Sequence, residues 1–189
     1  MTTRQLRRAV ATAAALCLCL TACGNGARKP PGTPDPSRAE VLAFAASYLA
    51  TTGSEVASLT IEDHHVGLYV RGMPDWSLDA YVSQLPLAAE TSRAMLLRWP
   101  ALNDVDVCGD APWLPHAAGV TFVPGVQVHL YRDRLGTLPA RITSPGQALR
   151  ESLRVLPGGK DHPMDLYLDA RIRQESAAYV AAYKAAGKK

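Results

Sequence analysis

The residues suited to chemistry fall in four places along the chain. Glu62-Asp63-His64-His65 is the densest polar cluster. Carboxylates and imidazoles together are ligands for zinc and other divalent metals. Neighbouring side chains on a strand point to opposite faces, so four in a row do not converge on one ion. Neither HExxH nor HxH spacing occurs here. Alternating apolar runs on both sides make a hairpin reversal the preferred reading, with His64 and His65 solvated and dispensable for stability. The rival reading has Glu62, His64 and the distant His129 sharing a metal across a sheet.

Cys108 with His116 or His129 has the composition of a thiol–imidazole nucleophile pair. No family signature surrounds Cys108, and free cysteine is among the most buried residue types. Asp104, Asp106 and Asp110 resemble a calcium loop only in acidity. A helix–loop–helix calcium site also needs a central glycine and a terminal glutamate. Val105 and Val107 alternate with the acids instead, which is a strand pattern. Trp76, Trp99 and Trp113 are the aromatic candidates, and Pro112-Trp113-Leu114-Pro115 is an apolar loop. Exposed apolar loops mark binding surfaces, so Trp113 and Leu114 form a candidate partner surface. No glycine-rich phosphate loop, GxSxG or SxxK is found. No catalytic residue, metal or cofactor is therefore expected.

The elements that must position these residues read as follows. Ser37 to Thr51 is a helix with a Ser37/Glu40 capping box and Val41, Ala45 and Leu49 at helical spacing. Val56 to Ile61 and Val66 to Val70 form the hairpin. Ser77 to Leu85 is a short helical or extended piece, and Pro86 opens a firm helix to about Trp99. Val105 to Val107 is a short strand ending at Cys108-Gly109. Val120 to Arg132 reads as strands broken at Pro124-Gly125, and 133–136 as a turn. Ser144 caps a helix to about Leu156, and a last helix runs from Met164 to Ala186. Runs of strands between helices without strict alternation favour an α+β fold, an antiparallel sheet packed against helices in a single domain of residues 38–189.

The first residues read as an address. Met1 to Arg8 is basic, and Ala9 to Leu20 is an uncharged stretch of 12 residues. As a helix it covers about 18 Å, short of the roughly 30 Å of a bilayer core, so it is a signal-peptide segment and not a membrane span. Leu20-Thr21-Ala22-Cys23 follows, and it resembles the lipobox of bacterial lipoproteins. The resemblance implies that residues 1–22 are a removable signal peptide and that Cys23 carries lipid. The bias of 30 Ala, and of 15 Arg against 5 Lys, looks like that of an actinobacterial lipoprotein. The domain itself resembles no family through its motifs. Gly24 to Ser37 holds three Gly and four Pro, so residues 23–37 read as lipidated cysteine and tether. Fully extended, that tether would span roughly 40 Å.

Cysteine and charge counts agree with this address. Cys17 and Cys19 leave with the signal, and Cys23 takes the lipid. Cys108 is then alone, which excludes an internal disulfide. The net charge of +3 comes from Arg4, Arg7 and Arg8, and without them 17 basic residues face 17 acidic ones. That balance excludes a nucleic-acid footprint. The expected protein is thus a lipoprotein anchored in the cell membrane, on the extracytoplasmic face. Its domain would be a non-catalytic one that binds an envelope protein partner or serves as an envelope accessory. The alternatives are an envelope hydrolase with a site near Cys108 and His129, and a small-ligand carrier. We predict that Cys23→Ala releases the protein from membranes or leaves it unprocessed. Partition of the wild type wholly into the aqueous phase after detergent separation would contradict the address.

Overall fold

The computed structural model describes residues 33–51, 53–72, 77–111, 113–114, 118–119, 122–154 and 162–187. The signal segment with Cys23, most of the tether, Trp76 and His116 lie outside them. Helix α1 (Arg38–Leu49) starts at the expected capping box. The Ser37 N–H and hydroxyl both donate to Glu40 Oε2, at 2.8 and 2.7 Å, and the Glu40 N–H donates back to Ser37 Oγ. Strands β1 (Glu55–Glu62) and β2 (His65–Arg71) form the expected hairpin. Asp63 and His64 alone make the turn, with φ of 48° and 67°. Two left-handed residues in a two-residue loop match the twist of the flanking strands.

Helices α2 (Leu78–Ser83) and α3 (Leu85–Arg98) then cross over the sheet. Residues 77–85 are thus helical, capped by Ser77, whose Oγ accepts from the Ala80 N–H. Pro86 sits in the first turn of α3, where its missing N–H costs nothing. Strand β3 (Asp104–Asp110) follows, then β4 (Pro124–Tyr131), a 3₁₀ turn at Arg132–Thr137 and helix α4 (Pro145–Leu153). The strand expected to lead into Pro124 is absent at Phe122 and Val123, and Val120 and Thr121 lie outside the described residues.

The chain ends differently from the single helix expected over 164–186. Met164–Leu168 is strand β5, followed by α5 (Ala170–Glu175) and α6 (Ala177–Ala185). Met164, Leu166 and Leu168 alternate with Asp165 and Tyr167, a period-two pattern that also fits loosely on a helix. The free edge of β4 decides between them, pairing with β5 from Val126↔Leu168 to Leu130↔Met164. Asp169 and Ser176 then cap α5 and α6 in turn, so the helical stretch is broken twice.

The fold is α+β, a five-stranded sheet in the order β1-β2-β3-β4-β5. Every neighbouring pair is antiparallel except β2 and β3, which run parallel because α2 and α3 carry the chain back to its starting end. One face of the sheet is apolar. Val66, Leu68, Val105, Val107, Val128 and Leu130 are buried there with Ala89, Met95 and Leu96 of α3. The other face holds the polar residues of the same strands. Helix α4 packs on α6 so closely that a Cβ at Gly146 would lie 3.2 Å from that of Ala185. Among the described residues no helix is long and apolar enough to cross a membrane.

Arg132 fastens α3 to the sheet. Its guanidinium donates to the carbonyls of Leu96, Trp99 and Leu102, where the helix ends and the chain turns into β3. A cation at a helix C-terminus satisfies orphan carbonyls and opposes the helix dipole. Hydrogen bonds from a charged donor contribute about 1.5–3 kcal/mol each, less than additively. Arg132→Ala should therefore destabilise the domain by about 2–4 kcal/mol in urea unfolding. An unchanged midpoint would remove this role.

Candidate functional site: a carboxylate–imidazole cluster on the open sheet face

Register assembles the cluster. β2 and β3 pair His65 with Asp104 and Gly67 with Asp106. β3 and β4 pair Asp104 with Tyr131 and Asp106 with His129, and β4 and β5 pair His129 with Asp165. Residues opposite one another in a sheet share a face. Two rows therefore cross the polar face side by side: His65, Asp104 and Tyr131 in one, and Gly67, Asp106, His129 and Asp165 in the other.

Asp104 sits between the two imidazoles. Its Oδ1 is bonded to His65 Nδ1 and, at 3.0 Å, to His129 Nε2. A carboxylate has no hydrogen to give, so each ring donates to it. That fixes the nitrogen each ring turns toward Asp106. His65 Nε2 lies 3.8 Å from Asp106 Oδ2, and His129 Nδ1 lies 3.2 Å from Asp106 Oδ1. Asp106 is buried, with 8% of its surface exposed. Gln127 donates to its Oδ2 at 3.0 Å, while Oδ1 has no hydrogen-bond partner. Tyr131 donates to Asp165 at 2.9 Å, and its oxygen lies 3.2 Å from His129 Nδ1. The Arg134 guanidinium stacks over the Tyr131 ring at 4.2 Å.

Burial and pairing push the two carboxylates in opposite directions. Burial raises Asp104, but the hydrogen bonds from His129 and His65 outweigh it and leave its pKa below the ordinary value. Burial raises Asp106 above the ordinary range despite the opposing His129, Gln127 and His65. Burial lowers His129, and its bond to Asp104 with the charges of Asp106, Asp104 and Asp165 more than compensates, so its pKa is raised.

The sequence reading placed His65 in a solvated turn, and here the structure corrects it. The hairpin loop is one residue pair shorter than the polar quartet, so His65 is the first residue of β2 and is half-buried. His64 alone keeps the turn, its Nδ1 bonded to Asp35 Oδ1 at 2.6 Å. Glu62 pairs with His65 and lies on the same face, but it is exposed, and it is His65, not Glu62 or His64, that comes together with Asp104, Asp106 and His129. Asp104 and Asp106 are strand residues as expected, while Asp110, expected to begin a loop, is the last residue of β3 and accepts the Val123 N–H at 2.7 Å. The missed signal was the pair Asp104 and Asp106, two residues apart, opposite a lone His129 on an alternating run.

The other sequence candidates are placed as follows. Trp113 and Leu114 are half-buried, and the Trp113 ring packs edge-on against Tyr81 at 4.6 Å, on the core. Cys108 lies on the polar face beside Asp106 and opposite Gln127, but it is only 3% exposed. No protein family matches the chain, and neither the curated proteins nor the solved structures yield a match.

Burial first, then the Asp106 charge, pushes the Cys108 thiol up to about 12. A thiol reacts as its thiolate, so this one is inert at neutral pH. Iodoacetamide at pH 8 should leave the Cys108 peptide unmodified in the native chain and alkylate it after unfolding in urea. Rapid native alkylation, read by mass spectrometry, would restore the nucleophile reading.

Proposed function

We propose that this protein is a lipid-anchored domain on the outer side of the plasma membrane that works by binding through the polar face of its sheet. The observation that supports it is the division of labour across the sheet. Helices cover the apolar face, while the opposite face gathers His65, Asp104, Asp106, Gln127, His129 and Tyr131 into one hydrogen-bonded group. Buried polar groups of that kind have a desolvation cost, and a fold with no use for them is more stable with apolar residues in their place. Binding is preferred over hydrolysis because the thiol beside the cluster is held protonated. The polar face is also preferred over Trp113 and Leu114, since the Trp113 ring is spent on Tyr81.

The anchor suits this arrangement. Asp35, near the start of the described chain, bonds His64 at the β1–β2 turn, beside the first residue of the cluster. A tether from Cys23 would deliver the domain with that end of the sheet nearest the membrane. The partner is then a component of the envelope. Photo-crosslinkers placed at Tyr167 and at Leu97 test the reading in intact cells. Tyr167 lies on the polar face and is 47% exposed, and Leu97 lies on the outer side of α3 and is 67% exposed. The expected result is one discrete adduct from position 167 that is lost with Cys23→Ala, and none from position 97. Adducts from 97 alone, or from neither, would overturn it.

A further inference from the structure

We propose that His65, His129 and Asp106 form a binding site for one divalent transition-metal ion, with Asp104 holding both imidazoles in the ligating orientation. This deepens the reading of the polar face as the working surface and takes its location from that reading.

Three independent observations converge. First, ligand atoms of His65, Asp106 and His129 all lie within 4.8 Å of one another. Bonds of about 2.0–2.2 Å set adjacent ligand atoms roughly 3.0–3.6 Å apart. The 3.2 Å between His129 Nδ1 and Asp106 Oδ1 falls in that range. The 3.8 Å from His65 Nε2 to Asp106 Oδ2 closes with a small rotation of either side chain.

Second, the nearly buried Asp106 aims an unpartnered Oδ1 into the group. Its neighbour His129 Nδ1 sits at hydrogen-bond distance without hydrogen-bond geometry. In the neutral ring, with its one proton turned to Asp104, that nitrogen presents a lone pair to Asp106 Oδ1. Lone pairs facing one another across about 3 Å repel unless a cation lies between them.

Third, glycine at position 67 lets the His65 ring take its place against the strand. A Cβ at Gly67 would stand 3.3 Å from His65 Nε2 and 2.5 Å from Thr60 Oγ1. A side chain at this position, which pairs with Asp106, would press on the ligating nitrogen and on Thr60.

The role of Asp104 is that of a carboxylate outside the coordination sphere. Metal-bound histidines nearly always give their other N–H to such a partner, which fixes the tautomer and raises ligand basicity. Here one carboxylate serves two rings. Two imidazoles and one carboxylate suit zinc, iron(II), cobalt and their neighbours better than calcium or magnesium, which prefer oxygen alone. Three protein ligands leave at least one position for water or for a donor group of a partner.

The test uses the full chain, purified in detergent and stripped with chelator. Cobalt(II) titration should give visible d–d absorption that saturates at one ion per chain and is displaced by zinc. X-ray absorption of the zinc-loaded wild type should show two imidazoles and no sulfur. Asp104→Asn should weaken zinc about 10–100-fold at unchanged stoichiometry. Asp106→Asn and Gly67→Ala should each lose at least tenfold, with near-ultraviolet circular dichroism reporting that the fold is kept. The wild-type titration and absorption spectrum need no variant to fold. Absence of saturable binding, a sulfur ligand, or affinity unchanged in Asp106→Asn would each overturn the site. A failed titration beside a discrete adduct from position 167 would retire the metal and leave the binding face standing.

Discussion

Asn103 holds the working end of the sheet together. Its N–H donates to the His64 carbonyl at 2.7 Å, and its own carbonyl accepts the Arg132 N–H at 2.7 Å. These two backbone bonds join the β1–β2 turn, the start of β3 and the end of β4. The constraint matters most for β2 and β3. A hairpin sets its register through its turn, but parallel strands are joined by a long crossover that leaves register to the strands themselves. Bonding Asn103 to His64 aligns the first pair, His65 with Asp104, and every later pair follows. A slip of one residue would turn Asp104 and Asp106 into the core and Val105 toward solvent. Arg132 secures the same junction from the side, since its guanidinium holds the end of α3 against the start of β3.

The cluster that this junction aligns is costly in isolation. Asp106 and half-buried Asp104 and His129 are taken partly out of water, and each loses hydration. Apolar packing on the opposite face carries the stability. The large side chains of Leu68, Tyr81, Leu85, Met95, Leu96 and Leu130 are almost wholly buried there. The two faces of each strand therefore have different duties. Odd positions of β3, Val105 and Val107, serve the core, and even positions, Asp104 and Asp106, face the cluster. Substitution in the polar row is accordingly expected to be gentler on folding than truncation of the apolar row, where large-to-small changes cost about 2–5 kcal/mol.

Much of the fold was legible in the sequence because it is local. The Ser37/Glu40 box, the Ser77 and Ser144 caps and the alternation of Val66, Leu68 and Val70 all report on their own segments. The β5 strand was not legible, because five residues of loose alternation become a strand only when β4 offers an edge. The parallel pair was missed for the same reason. The candidate site lay in between. His64 and His65, the three aspartates and His129 were each singled out by residue type. What joined His65 to Asp104, 39 positions away, and through it to Asp106 and His129, and sent His64 to Asp35, 29 positions away, was tertiary structure, on which neighbouring residues carry no information.

Charge arithmetic explains why the cluster reads as a receptor for a cation. Asp104 and Asp106 bring two negative charges when ionised, and a neutral ring that gives its single N–H to Asp104 adds none. A half-buried site with an excess of two negative charges lowers its energy by taking up positive charge. Proton uptake on the His129 ring is one way, with Asp106 as its counter-ion. One divalent ion would do so at a single point. The two solutions differ in geometry. Proton uptake would draw His129 Nδ1 into a directed hydrogen bond with Asp106 Oδ1, whereas metal binding needs both atoms aimed at a third point. The contact as it stands, 3.2 Å without hydrogen-bond geometry, has the second form.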